Sequence, residues 1–151
     1  MKIRAIWLSV AIIAGLVSVA SHGAEPLSGR QAKEAAAKAF NSGDFDQFYA
    51  IELRFAERGE ALAQFYIALT LLDGKLTTLP NAAQQTRGLE WLRRAAHQGL
   101  SQALIRLEFI YASGLHGVVP DMELAECYRN AASKISDVAR CAELEHAKGF
   151  R

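Results

Sequence analysis

Proline, surplus charge and chemical motifs are what this chain has least of. Three prolines occur in 151 residues, Pro26, Pro80 and Pro120, so little interrupts a helical ladder, and each falls where a connection is expected. Basic and acidic residues nearly cancel, 17 against 16 for a net charge of +1, which excludes the strongly basic footprint of a nucleic-acid binder. No Ser-x-x-Lys, Gly-x-Ser-x-Gly or His-Glu-x-x-His is present, so the common hydrolase signatures are missing. Gly-rich phosphate loops, Cys-x-x-Cys and calcium loops are missing too, and neither a cofactor nor a metal is expected. His97, His116 and His146 are scattered singly; they read as solvated side chains, because catalysis or metal ligation needs convergent partners.

Charge is also missing from one long stretch near the start. "MKIR" is followed by "AIWLSVAIIAGLVSVA", sixteen residues without a charge, and then by "SHGAEP". A basic start, an apolar middle and a small-residue exit predict a secretory signal peptide over residues 1–23. Cleavage is expected after Gly23, with Ser21 and Ala24 as alternatives, leaving a single domain over residues 24–151 that is periplasmic or secreted. Ala5 to Ala24 is twenty uncharged residues, also enough for an uncleaved anchor with Lys2 and Arg4 on the cytoplasmic side. Membrane attachment is expected only in that case.

What the chain does have is helical periodicity. From Arg30 onward apolar residues recur at spacings of three and four and no stretch alternates, predicting helices over 29–41, 44–58, 60–73, 81–98, 100–113, 121–134 and 136–148. Gly43, Gly59, Gly74, Gly99 and Gly114 follow these runs as terminators. Ser28 with Gln31 and Asp44 with Gln47 have the spacing of a capping box, and Asp121 and Asp137 are further N-cap candidates.

The pattern also repeats. Ala63, Ile67, Leu71 and Gly74 are matched forty residues later by Ala103, Leu107, Tyr111 and Gly114, placing equivalent residues on one helix face. Repeat units are expected at about 60–99 and 100–135, with partial units at 29–59 and 136–148. Ala95, Ala96 and Ala103 leave room for helices to approach closely, Gly99 turns the chain between them, and Trp91 fills the space between hairpins, with Ile51 and Cys127 at matching positions.

These residues resemble the Sel-one-like repeat family, relatives of the tetratricopeptide repeat. Ala103, Leu107, Tyr111, Gly114, Gly117, Val118, Asp121, Ala131 and Ala132 fit its pattern in one copy, and Ala63, Ile67, Gly74, Trp91, Ala95, Ala96 and Gly99 in the other. The loop "KLTTLPNAAQQ" is longer than its counterpart, Glu108 stands where the family favours glycine, and Ile135 replaces the turn glycine. A β-branched residue suits positive φ poorly, so a different geometry is expected in that last turn. The resemblance implies an all-α fold, a short right-handed α-solenoid of stacked antiparallel helix pairs. It further implies an exported scaffold that mediates protein–protein interaction without catalysis of its own, its short stack completed by a larger partner or a homo-oligomer. Two alternatives stay open: a cell-wall-related or penicillin-binding hydrolase of the cysteine-containing type, and a membrane-tethered accessory subunit.

Cys127 and Cys141 are the only cysteines. They lie seven residues before and seven after Lys134, so a helical hairpin brings them level. An exported compartment favours a disulfide, worth roughly 3 kcal/mol for a loop of this length; two buried free thiols are the alternative. For a binding groove the candidates are Tyr66 and Thr70 with Arg106 and Ile110, equivalent positions forty residues apart. Their expected partner is another protein or an extended peptide, and the alternative is that Tyr66 and Ile110 belong to the core. The loop Lys75 to Gln85 is a second candidate contact.

Overall fold

A computed structural model describes residues 29–149. The expected signal segment 1–23 and the Ser28 half of the first capping box lie outside the described residues. Seven α-helices follow one another: α1 Gly29–Ser42, α2 Phe45–Ala56, α3 Ala61–Leu72, α4 Asn81–His97, α5 Ser101–Ser113, α6 Met122–Ser133 and α7 Val138–Ala147. No strand forms among the described residues. The periodicity predicted these elements, and the boundaries agree to about two residues, within the fraying of helix ends.

Local chemistry sets most of the ends. Asp44 Oδ1 accepts from the Gln47 amide at 3.0 Å and Asp121 Oδ1 from the Leu124 amide at 3.1 Å, so both cap their helices. Asp137 does not. The chain first makes a 3-10 turn over Ile135–Asp137, and α7 begins without a side-chain cap. Lys134 enters that turn extended, at φ −140°. A β-branched Ile135 thereby avoids the left-handed region. Gly99, by contrast, turns at φ +82°, a conformation that favours glycine, and a Cβ there would also displace the exposed Ile135 side chain, whose Cδ1 lies 2.6 Å from that position.

Each helix packs on its neighbours in sequence, and α4 also touches α7. Along α1 the buried residues are Ala32, Ala36 and Ala39, a small-residue edge that admits α2. Gly88, in the middle of α4, plays a similar part: a Cβ there would come 2.8 Å from Leu72 Cγ and 3.2 Å from the Ala68 carbonyl. The core is three linked clusters. The largest runs from Ala68 on α3 to Cys141 on α7, the second centres on Phe55, Ala63 and Ile67, and the third on Ala36, Ala39 and Phe48. Trp91 packs against the first and second, and Ile51 against the second and third. Ala95, Ala96, Ala103 and Ala131 are fully buried, and Ala132 partly so.

The connection from α3 to α4 is tied to its own fold. Gln84, buried on α4, accepts from the Leu76 amide at 3.1 Å and donates to the carbonyls of Leu76 at 2.9 Å and Leu79 at 2.7 Å. On the other side, the Thr77 and Thr78 hydroxyls donate to the Asp46 carboxylate of α2. The Thr77 bond holds that carboxyl below the usual aspartate range. No helix among the described residues is long and apolar enough to cross a membrane.

Candidate functional site

Of the four residues expected to line a groove, two do not. Ile110 is fully buried in the main cluster, and Thr70 is buried with its hydroxyl donating to the Tyr66 carbonyl at 3.0 Å. Both positions fall on sides of α3 and α5 that face other helices, so they pack rather than offer contacts. Tyr66 stays exposed and Arg106 partly so. They do not share a cleft, because they line two neighbouring ones.

The cleft beside Arg106 lies between α3 and α5 and measures about 360 Å³. Its apolar lining comes from Phe65, Leu69, Ile105 and Phe109. Ile105 and Phe109 are more than half exposed, at 56% and 53%, although water disfavours surface of this kind. Arg106 itself is partly exposed on this rim, while its Nε is shut from solvent with no acceptor among the described residues. Glu108 on the same rim is already engaged, accepting from Arg129 at 2.9 and 3.0 Å.

A run of aromatic rings continues this surface toward α1. Phe65 lies 6.2 Å from Tyr66, Tyr66 6.3 Å from Phe48, and Phe48 5.3 Å from Phe40. Phe40, Phe48 and Tyr66 line the second cleft, about 310 Å³, between α1, α2 and α3. The sequence reading missed Phe40, Phe48, Phe65, Ile105 and Phe109. A signal for the first two existed in "FNSGDFDQFY", where four aromatic residues fall within ten.

A third cleft, about 410 Å³, lies between α4 and α7 and is lined by Glu90, Arg93, Arg94, His97, Glu145 and His146 among others. His97 and His146, scattered in sequence, meet here. Glu145 is buried and accepts from the Tyr111 hydroxyl and from Arg93 Nε at 3.1 Å, with His97 Nε2 3.3 Å from its other oxygen. Arg93 also donates to the Tyr111 hydroxyl at 3.1 Å. The Tyr111 and Tyr128 rings stack 5.8 Å apart, and the Tyr128 hydroxyl lies 3.5 Å from His97 Nε2.

Burial alone would raise the Glu145 carboxyl, but hydrogen bonds from His97 and Tyr111 and the charge of Arg93 outweigh it and hold the group below the usual glutamate range. Burial, and next the Glu145 charge, push both tyrosines well above the usual range. Both phenols therefore stay neutral at ordinary pH, and the Tyr111 hydroxyl donates to Glu145. This is the arrangement of a buried ion cluster that docks α7 onto α4 and α5. Among the described residues no three His, Cys, Asp or Glu side chains gather to hold a metal ion.

Cys127 and Cys141 are joined in a disulfide, their Cα atoms 5.6 Å apart. The bond fastens α7 to α6 and belongs to the scaffold. Compared with protein-family models, with characterised proteins and with solved structures, the chain matches none.

Proposed function

We propose that this chain is an exported helical-repeat scaffold, related to the Sel-one-like repeats, whose α3–α5 face binds a segment of another protein. The observation that carries the reading is the pairing of exposed Ile105 and Phe109 with the partly exposed Arg106 along one cleft. Apolar anchors supply affinity, and an acceptor on the partner, a carboxylate or a free backbone carbonyl, meets the positive charge of the arginine. Equivalent positions in the two expected repeats support the stacked reading: Ala63, Ile67 and Leu71 and their counterparts Ala103, Leu107 and Tyr111 are all buried. The composition of residues 1–23 supports export. No catalytic role is assigned to the α4–α7 cleft.

Site-specific photocrosslinking in the native compartment tests the reading. A crosslinker at Phe109 is expected to form discrete adducts, and one at exposed Arg140 on α7 is not. Ile105→Asp with Phe109→Asp should abolish adducts from a crosslinker at neighbouring Gln102 while thermal unfolding is unchanged. Adducts of equal yield on both faces would remove this surface from consideration.

A further inference from the structure

The cleft between α1, α2 and α3 contains a group that the scaffold reading leaves unused. Glu52, on α2, is only 5% exposed and lines this cleft. No described residue donates a hydrogen bond to it or pairs with it. Lys33, on the rim of the same cleft, instead places its ammonium 3.1 Å from Glu60 Oε2 and 4.8 Å from the centre of the Phe55 ring. Burial raises the Glu52 carboxyl above the usual range, opposed by Lys33 and reinforced by Glu60. The Glu52 carboxylate is not among the groups shut from solvent, so without a protein donor it is left to the water of the cleft, a costlier state than a paired one. Such groups gather where a ligand supplies what the protein withholds.

The surroundings restrict what that ligand can be. Phe40, Phe48 and Tyr66 supply three aromatic rings, and Ala36 and Ala37 leave the space open. An anion would meet Glu52. A purely apolar molecule would bury the carboxylate further without satisfying it. A metal ion would find one carboxylate where several ligands are needed. An organic cation satisfies every wall: its stem packs on rings and alanines, and its charge meets both the ring faces and the carboxylate. The cleft, at about 310 Å³, accommodates a short alkyl chain with such a head.

We propose that the α1–α2–α3 cleft binds an organic cation, a primary ammonium or guanidinium on a short alkyl stem, with Glu52 as counter-ion and Phe40, Phe48 and Tyr66 as walls. A lysine or arginine side chain of another polypeptide and a free alkylamine offer this same chemistry. The site is separate from the α3–α5 face and does not rest on it.

The test uses protein recovered from expression of the full chain, titrated with n-butylammonium, n-butylguanidinium and neutral 1-butanol, followed by calorimetry and by amide chemical shifts. Both cations are expected to bind and to shift amides around Phe40 and Glu52, with 1-butanol about tenfold or more weaker, as loss of a charged hydrogen bond requires. Glu52→Gln should weaken the cations by about tenfold or more, while thermal unfolding shows the variant still folded. Phe40→Ala, at a half-exposed position, should weaken them by about threefold or more, the loss of one cation–π contact. Lys33→Met removes the rival cation and should hold or tighten affinity. A short lysine peptide that binds more tightly than n-butylammonium, and loses the gain on norleucine replacement, identifies a polypeptide side chain as the source; equal affinities identify a free small molecule. Absence of binding by either cation at tens of millimolar, or unchanged affinity in Glu52→Gln, would overturn the assignment.

Discussion

Glu52 and Glu145 are both largely covered glutamates, and their neighbours drive them in opposite directions. Glu145 is held below the usual value of 4.5 by the donors around it, so the folded state binds fewer protons there than the unfolded chain. Its contribution to stability is fully present above the unfolded value and is lost as pH falls through the lower folded one. Glu52 is raised by burial, so its charged form opposes folding at neutral pH, and that cost lifts as pH falls through its raised value. Glu145→Gln should therefore lower stability at pH 7 and flatten the acid-side decline, whereas Glu52→Gln should raise it at pH 7 and converge on the parent as pH falls through the raised Glu52 value. Thermal unfolding across that range checks both. Neither glutamate is distinctive in sequence. Glu52 sits in "AIELRFA" and Glu145 in "ELEHA", where a charge reads as a solvated face, and burial is decided by helices distant along the chain.

Among the elements, α3 with α4 and α6 with α7 show how small details set the packing. Gly88 lets α3 approach α4, and a methyl group there would press on Leu72 and the Ala68 carbonyl. Gly88→Ala gains helix propensity of about 1 kcal/mol, yet overpacking costs about 1–3 kcal/mol. The expected outcome is net destabilisation, measured by chemical unfolding, and an increase in stability would show that α3 gives way freely. The last helix has few neighbours and is fastened at three points: the Cys141 disulfide, the Glu145 cluster, and Lys148, whose ammonium lies 2.7 Å from Asp121 Oδ2 and 2.8 Å from Glu123 Oε2. Cys127→Ser with Cys141→Ser should cost roughly 3 kcal/mol while α7 stays docked, since two fastenings remain. Amide exchange along α7 reads this directly: protection that persists in the double serine variant and falls only when Glu145→Gln is added is the expected pattern.

For the molecule as a whole, the open question is what covers the aromatic and aliphatic surface running from Phe40 to Phe109. An isologous pair of chains joined through the α3–α5 face sets like patches together. It would bring two Arg106 guanidinium groups near each other without supplying an acceptor to either. We therefore expect a single chain at low micromolar concentration, measured by light scattering. A mass that doubles with concentration and reverts on Phe109→Asp would instead make a second copy the partner. Thr70 and Ile110 show where the sequence argument ran short at this scale. Their forty-residue spacing led to the expectation of equivalent open places on two helices, but such a place can be covered as well as open, and α3 is apolar nearly all round.

The sequence by itself determined the helices, their ends and the disulfide partners, because those depend on residues within a few turns of one another: apolar spacing, Asp44 and Asp121 as caps, and two cysteines set evenly about a turn. Tertiary structure decided which polar groups were shut in and which apolar ones were left out. The exposure of Ile105 and Phe109, the isolation of Glu52 and the meeting of Arg93, His97, Tyr111 and Glu145 depend on the angles at which helices cross. Those angles arise from many small contacts summed over all the helices, and no short stretch of sequence records them.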